Sequence, residues 1–187
     1  MEGSGASRGA ALAASIVAIP LAILVGILLV LIGQRHIQGT TGTKPQSLPT
    51  TPVTMDVRSL APDESTACRK FISRLPQSML DAKRRSVTTG REENAAYGQP
   101  AITVRCGVAA PTIAQDETVW NLSGICWVAR PARGSTTWTT VDRVVPVQVV
   151  VPDSYAGQGQ YIQVLTADVG GTLTVSQDIP TGCTANG

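Results

Sequence analysis

The sequence predicts an α+β domain, a single antiparallel meander sheet of five to six strands flanked by two helices, preceded by one N-terminal transmembrane helix. Three observations carry this. The run "AALAASIVAIPLAILVGILLVLIG", Ala10 to Gly33, holds 24 residues without a charge, enough to span a bilayer core. Beyond it, apolar residues alternate with polar ones in short stretches broken by turn residues, the period of strands. Two other stretches place apolar residues at helical spacing instead.

The apolar run reads as an uncleaved anchor. A secretory leader has a shorter apolar region followed by a small-residue cleavage site, whereas "LIGQRHIQ" closes a run of spanning length here. Pro20 within it is tolerable in a membrane helix. The flanking charges nearly tie, with Arg8 against Glu2 on one side and Arg35, His36 and Lys44 on the other, so the positive-inside rule does not set the orientation. The cysteines do: Cys68, Cys106, Cys126 and Cys183 all lie beyond the anchor with no CxxC spacing, a usage suited to an oxidising exterior. The organisation predicted is a cytoplasmic N-terminus at 1–9, the anchor at 10–33, a linker at 34–52 and an extracytoplasmic domain at 53–187. Within the linker, "QGTTGTKPQSLPTTP" is rich in Thr, Pro and Gly. Extended at about 3.1 Å per residue it would hold the domain roughly 40 Å from the membrane.

The domain opens at "VTMDV", Val53 to Val57, which alternates as a short edge strand does. Asp63 then reads as an N-cap, and Cys68, Phe71, Ile72 and Leu75 share one face of a helix that Pro76 ends. In "AITVRC", Ile102, Val104 and Cys106 fall on one strand face, Thr103 and Arg105 on the other. Arg105 therefore points away from Cys106 and does not activate it as a thiolate. Cys68 and Cys106 both face the core, and a bridge between them would close a loop of about 39 residues, worth roughly 4 kcal/mol. Four cysteines still allow three connectivities.

"TVWNLSGICWVAR" has the form of a two-residue hairpin turning at Ser123-Gly124. That register sets Leu122 against Ile125 and Trp120 against Trp127, with Asn121 and Cys126 on the opposite face. A second hairpin is expected in "TTWTTVDRVVPVQVVVP", turning at Asp142-Arg143, with Val145, Val147, Val149 and Val151 on one face. Pro146 cannot donate to a ladder, which predicts an edge strand or a bulge. Tyr161, Val164, Leu165 and Val169 then mark a final helix, with Gly170-Gly171 as its stop.

The chemistry of the chain is restrictive. Its one histidine, His36, borders the anchor, so the domain lacks histidine triads, proton shuttles and histidine metal sites. No P-loop, GxGxxG or GxSxG pattern occurs. A net charge of +2 and 4% aromatics argue against nucleic acid. The expectation is no enzyme: no catalytic residues, no cofactor and no metal. The residues singled out are the disulfide cysteines Cys68, Cys106, Cys126 and Cys183, and an interaction surface of Lys83, Arg84, Arg85, Arg105, Trp120 and Trp127. With Arg91, the run Lys83 to Arg85 reads as a basic patch on a loop. The carboxylate pairs Glu92-Glu93 and Asp116-Glu117 read as solvated.

The blocks "ACRKFISRLP" (67–76), "AAYGQPAITVRCGV" (95–108), "SGICWV" (123–128) and "TTVDRVVPVQVVVP" (139–152) resemble the actinobacterial membrane-protein family labelled domain of unknown function 3515. The most specific is the aromatic-Gly-x-Pro leading into a strand that ends Arg-Cys-Gly. The resemblance implies an anchored domain in the cell envelope and a Cys68–Cys106 pairing, which leaves Cys126 with Cys183. It implies no activity. Family members tend to carry an acidic residue where this chain has Cys126, so any role of that acid does not transfer. The function expected is an interaction or accessory module whose partners are the membrane and other envelope or wall-synthesis proteins. Two rivals are a carboxylate-dependent envelope enzyme using Asp116 or Glu117 with Arg105, and a small-molecule or lipid-binding domain using Trp120 and Trp127.

Overall fold

The structure, a computed structural model, describes residues 24–28 and 51–183. The chain divides into two units, 1–46 and 47–187. In the first, residues 24–28 are helical; the rest of the expected 10–33 span, the N-terminus at 1–9 and the linker up to residue 50 lie outside the described residues. Among the described residues no helix is long and apolar enough to cross a membrane.

The second unit is α+β, with antiparallel pairing throughout its sheet. In chain order it comprises α1 (Pro62–Arg74), β1 (Ser78–Met79), β2 (Ala82–Arg85), β3 (Asn94–Tyr97), β4 (Ile102–Cys106), β5 (Val119–Leu122), β6 (Ile125–Ala132), β7 (Ser135–Thr140), β8 (Val147–Pro152) and α2 (Gln158–Thr172). The sheet has eight strands rather than five or six, in the order β1-β2-β3-β4-β8-β7-β6-β5. It is not one meander. The chain leaves β4, crosses to the far edge at β5 and returns strand by strand, so that β8 closes against β4. The strands that sequence reading missed are short and carry little apolar alternation: β2 is "AKRR" with only Ala82 fully inward, and β3 is "NAAY". Pairing with β4 and burial of Tyr97, not their own pattern, hold them. The basic run at 83–85 is thus a strand, not a loop. Conversely, "VTMDV" forms no strand. Val53 makes one parallel bridge to Val87, and Met55 packs with Val87 and Ala96 against the back of the sheet.

α1 begins at Pro62, whose missing N–H costs nothing in a first turn. Its N-cap is Ala61, not Asp63; Glu64 turns back to accept the Ala61 N–H at 3.0 Å, half of a capping box. Cys68, Phe71 and Ile72 are buried, as the spacing required. α2 starts after Gly157, which is left-handed at φ 65°. It runs through Gly170-Gly171 instead of stopping there, because Val169 and Leu173 on either side are both buried and hold the last turn to the core. Both helices contact the same face of the sheet, where Ile102, Val104, Trp127, Val147, Val149 and Val151 meet Phe71, Ile72, Ile162 and Leu165.

The hairpin of β5 and β6 has the expected register, Trp120 opposite Trp127 and Leu122 opposite Ile125. β8, however, is interior, not an edge strand. Pro146 sits just before its first residue, so no ladder donor is lost, and its carbonyl accepts from Gly107 N at 2.9 Å. Asp142-Arg143 is no tight turn either: β7 pairs with β8 only from Thr139 opposite Gln148, which leaves a longer loop between them.

Candidate functional site

Cys68 pairs with Cys106 and Cys126 with Cys183, the connectivity implied above, and no cysteine is free. The first bridge ties α1 to β4 through sulfurs wholly inside the core. The second ties the C-terminal tail to β6.

Most of the basic run has structural partners. Arg84 donates to the carbonyls of Leu75 (3.0 Å) and Ile72 (3.2 Å), occupying the open C-terminal end of α1, where a cation complements the helix dipole. Arg85 donates to the Gly98 and Thr51 carbonyls and to the Gln99 side chain. Lys83 alone of the three is exposed and unpartnered among the described residues. We therefore expect Arg84→Ala to destabilise the fold by about 2 kcal/mol, and Lys83→Ala to stay within about 0.5 kcal/mol, as read from urea unfolding midpoints.

The remaining sequence-selected residues do not gather into one site. Arg105 pairs with Asp56 at 3.0 Å on the back of the sheet. Trp127 is fully buried, whereas Trp120 is 49% exposed on the edge strand with its ring 6.4 Å from that of Trp138. The two indoles therefore offer no shared binding face. Glu117 is gripped by Arg130 through Nε (2.6 Å) and Nη2 (2.8 Å), which lowers its pKa. Asp116 beside it is exposed. Glu117 and Arg105 thus engage different partners.

Two other clusters lie elsewhere in the domain. One is buried. The carboxylate of Asp142 (3% exposed) accepts the Cys126 N–H at 3.1 Å and lies 3.5 Å from Arg143 Nη2, with Arg143 itself 6% exposed. Asp142 Oδ1 and Arg143 Nε and Nη1 have no partner. Burial raises the Asp142 pKa above the usual aspartate value, against the opposing pull of the Cys126 N–H and Arg143. The Cys126 and Cys183 sulfurs lie within 4.8 Å of this carboxylate, but bonded to each other they present no thiolate ligand.

The other cluster is an open cleft of about 300 Å³ lined by Arg58, Leu60, Ser65, Gly90, Arg91, Glu92 and Glu93. A smaller hollow beside it shares Arg58 and Glu93 and adds Asp56, Asn94 and Arg105. Local chain geometry builds one wall: at Gly90, left-handed at φ 59°, the carbonyl accepts the N–H groups of Glu93 (3.0 Å) and Asn94 (2.7 Å). A Cβ on Gly90 would stand 2.7 Å from Glu93 Oε1, so only glycine leaves that carboxylate room. The segment 55–58 forms the other wall. It is held by Asn94 Nδ2 donating to the Asp56 carbonyl at 3.0 Å and by Arg58 donating to the Gly107 carbonyl. Glu92 is tied to Arg69 at 3.2 Å in an exposed pair. Glu93 is only 8% exposed, and its carboxylate has no hydrogen-bond or ion-pair partner among the described residues; nor does the guanidinium of Arg91. Sequence reading named Glu93 only as half of a solvated pair and missed Arg58, because an isolated arginine in a linker-like segment carries no pattern.

A family model described as "Protein of unknown function (DUF3515)" matches residues 17–177. No curated protein and no solved structure matches the chain.

Proposed function

The chain belongs to the DUF3515 family of proteins of unknown function, and on that premise we propose that it is a single-pass, membrane-anchored binding module whose folded domain stands outside the membrane, in the cell envelope. The placement draws support from the uncharged 24-residue run at 10–33, long enough for a bilayer, and from two closed disulfides, which persist in oxidising compartments. The binding role rests on one observation, the cleft in which Arg58, Arg91 and Glu93 converge with their charges uncompensated by one another. Its partners are the membrane, through the anchor, and other envelope or wall-synthesis components, through the cleft. A carboxylate-dependent enzyme is the weaker reading, because Glu117 and Arg105 are each bound to a different side chain.

Differential thiol alkylation on native membranes tests the placement. With the membranes taken into denaturant so that the buried sulfurs are accessible, all four cysteines should resist alkylation until a reductant is added, and mass mapping should return the 68–106 and 126–183 links. Four thiols labelled without reduction would put the domain in the reducing interior and end this reading.

A further inference from the structure

We infer that the cleft beside Gly90 takes a small zwitterion, an α-ammonium and α-carboxylate on one carbon. This rests on the reading of that cleft as the recognition site.

The cleft presents charges of both signs. Arg58 and Arg91 are exposed cations without a carboxylate partner, and Glu93, a residue only 8% exposed, turns into the cleft a carboxylate that has no donor among the described residues. Water answers these charges only weakly, so a ligand that brings a counter-charge to each gains charge-assisted hydrogen bonds there. A simple anion would satisfy the arginines but meet Glu93 and Glu92. A simple cation or metal ion would satisfy Glu93 but meet two guanidiniums. A ligand carrying both signs answers both.

The supporting geometry is consistent. Arg58 is steadied by the Gly107 carbonyl, which leaves the rest of its guanidinium fork to bind a carboxylate through a pair of parallel hydrogen bonds. Gly90 leaves room for the Asn94 amide and the Glu93 carboxylate, which a Cβ there would meet at 2.6 and 2.7 Å. Leu60 supplies an apolar wall and Ser65 a hydroxyl. A volume of about 300 Å³ stands at the small end of ligand sites, the scale of an amino-acid head group rather than a lipid or a polymer.

The test is calorimetric titration of the detergent-solubilised full chain with glycine, L-alanine and D-alanine. The same titrations use N-acetylalanine, which lacks the ammonium, and alaninamide, which lacks the carboxylate. At least one free amino acid should bind saturably, with both blocked forms about tenfold weaker or worse. Glu93→Gln and Arg91→Ala should each weaken that binding by a similar factor while keeping the wild-type melting temperature within a few degrees; Lys83→Ala should leave it unchanged. Absence of saturable binding, N-acetylalanine binding as tightly as alanine, or an indifferent Glu93→Gln would each overturn the inference. Such a failure is separable from failure of the envelope reading, which is decided by the alkylation pattern alone.

Discussion

Replacing Cys68 and Cys106 together by alanine should lower the unfolding free energy by about 4 kcal/mol, the largest loss expected from any disulfide change here. The bridge spans a sequence separation of 38, and the dominant effect is freedom restored to the unfolded chain rather than an interaction removed from the folded one. A packing term adds to it, because Cys68 is 0% and Cys106 3% exposed, within the cluster that joins α1 to the sheet. With a urea slope near 2 kcal/mol/M, the midpoint should fall by about 2 M. The comparison with Cys126→Ala/Cys183→Ala separates two accounts. Loop entropy alone ranks that pair slightly higher, since its separation is 57. Position says otherwise: Cys183 holds only the C-terminal tail, which can fray while the core stays folded, so the global loss should be smaller. A larger effect at the 126–183 bridge would mean that the tail is part of the cooperative core.

The same contrast between pattern and context explains what the sequence disclosed. The β5–β6 hairpin was legible to the residue, because Ser123-Gly124 fixes a turn and a turn fixes a register. So was the buried face of α1, since Cys68, Phe71 and Ile72 answer to a single period. β2 and β3 were not legible. Ala, Lys, Arg and Asn have no strand pattern, and their place depends on neighbours far away in sequence. The two glycines of α2 misled in the opposite sense, since local propensity argued for a stop and buried Val169 and Leu173 overrode it. The cleft shows the limit most clearly. Arg58 comes from one segment and Arg91 and Glu93 from another far along the chain, and what distinguishes them, charge left without a partner, is a property of the fold and not of any short motif.

Asp142 and Arg143 extend that point to stability. They read as a polar turn, yet they are buried together with three unpartnered polar atoms. Asp142→Ala should therefore destabilise the domain by about 3 kcal/mol, because it leaves the buried Cys126 N–H and the Arg143 guanidinium without the oxygen acceptor that either protonation state of the acid supplies. Arg143→Met should cost less, since the orphaned carboxyl can neutralise itself by protonation. The double change D142L/R143M, which puts leucine and methionine where the ion pair stands, should recover most of the loss, as apolar replacements of buried ion pairs do. The pH dependence follows from linkage. Burial already raises the Asp142 pKa above its unfolded value of 3.8, so the folded state binds this proton more tightly. Its contribution is fully present below pH 3.8 and is lost as pH rises through the folded pKa. Arg143→Met removes the cation that opposes this shift and should steepen the decline in stability above about pH 4, whereas Asp142→Asn should abolish this group's share of it. Urea midpoints taken from about pH 4 to pH 8 on the wild type and these two variants decide the matter: parallel curves would mean that the carboxylate is fully compensated in the fold and that the unpartnered atoms carry no energetic weight.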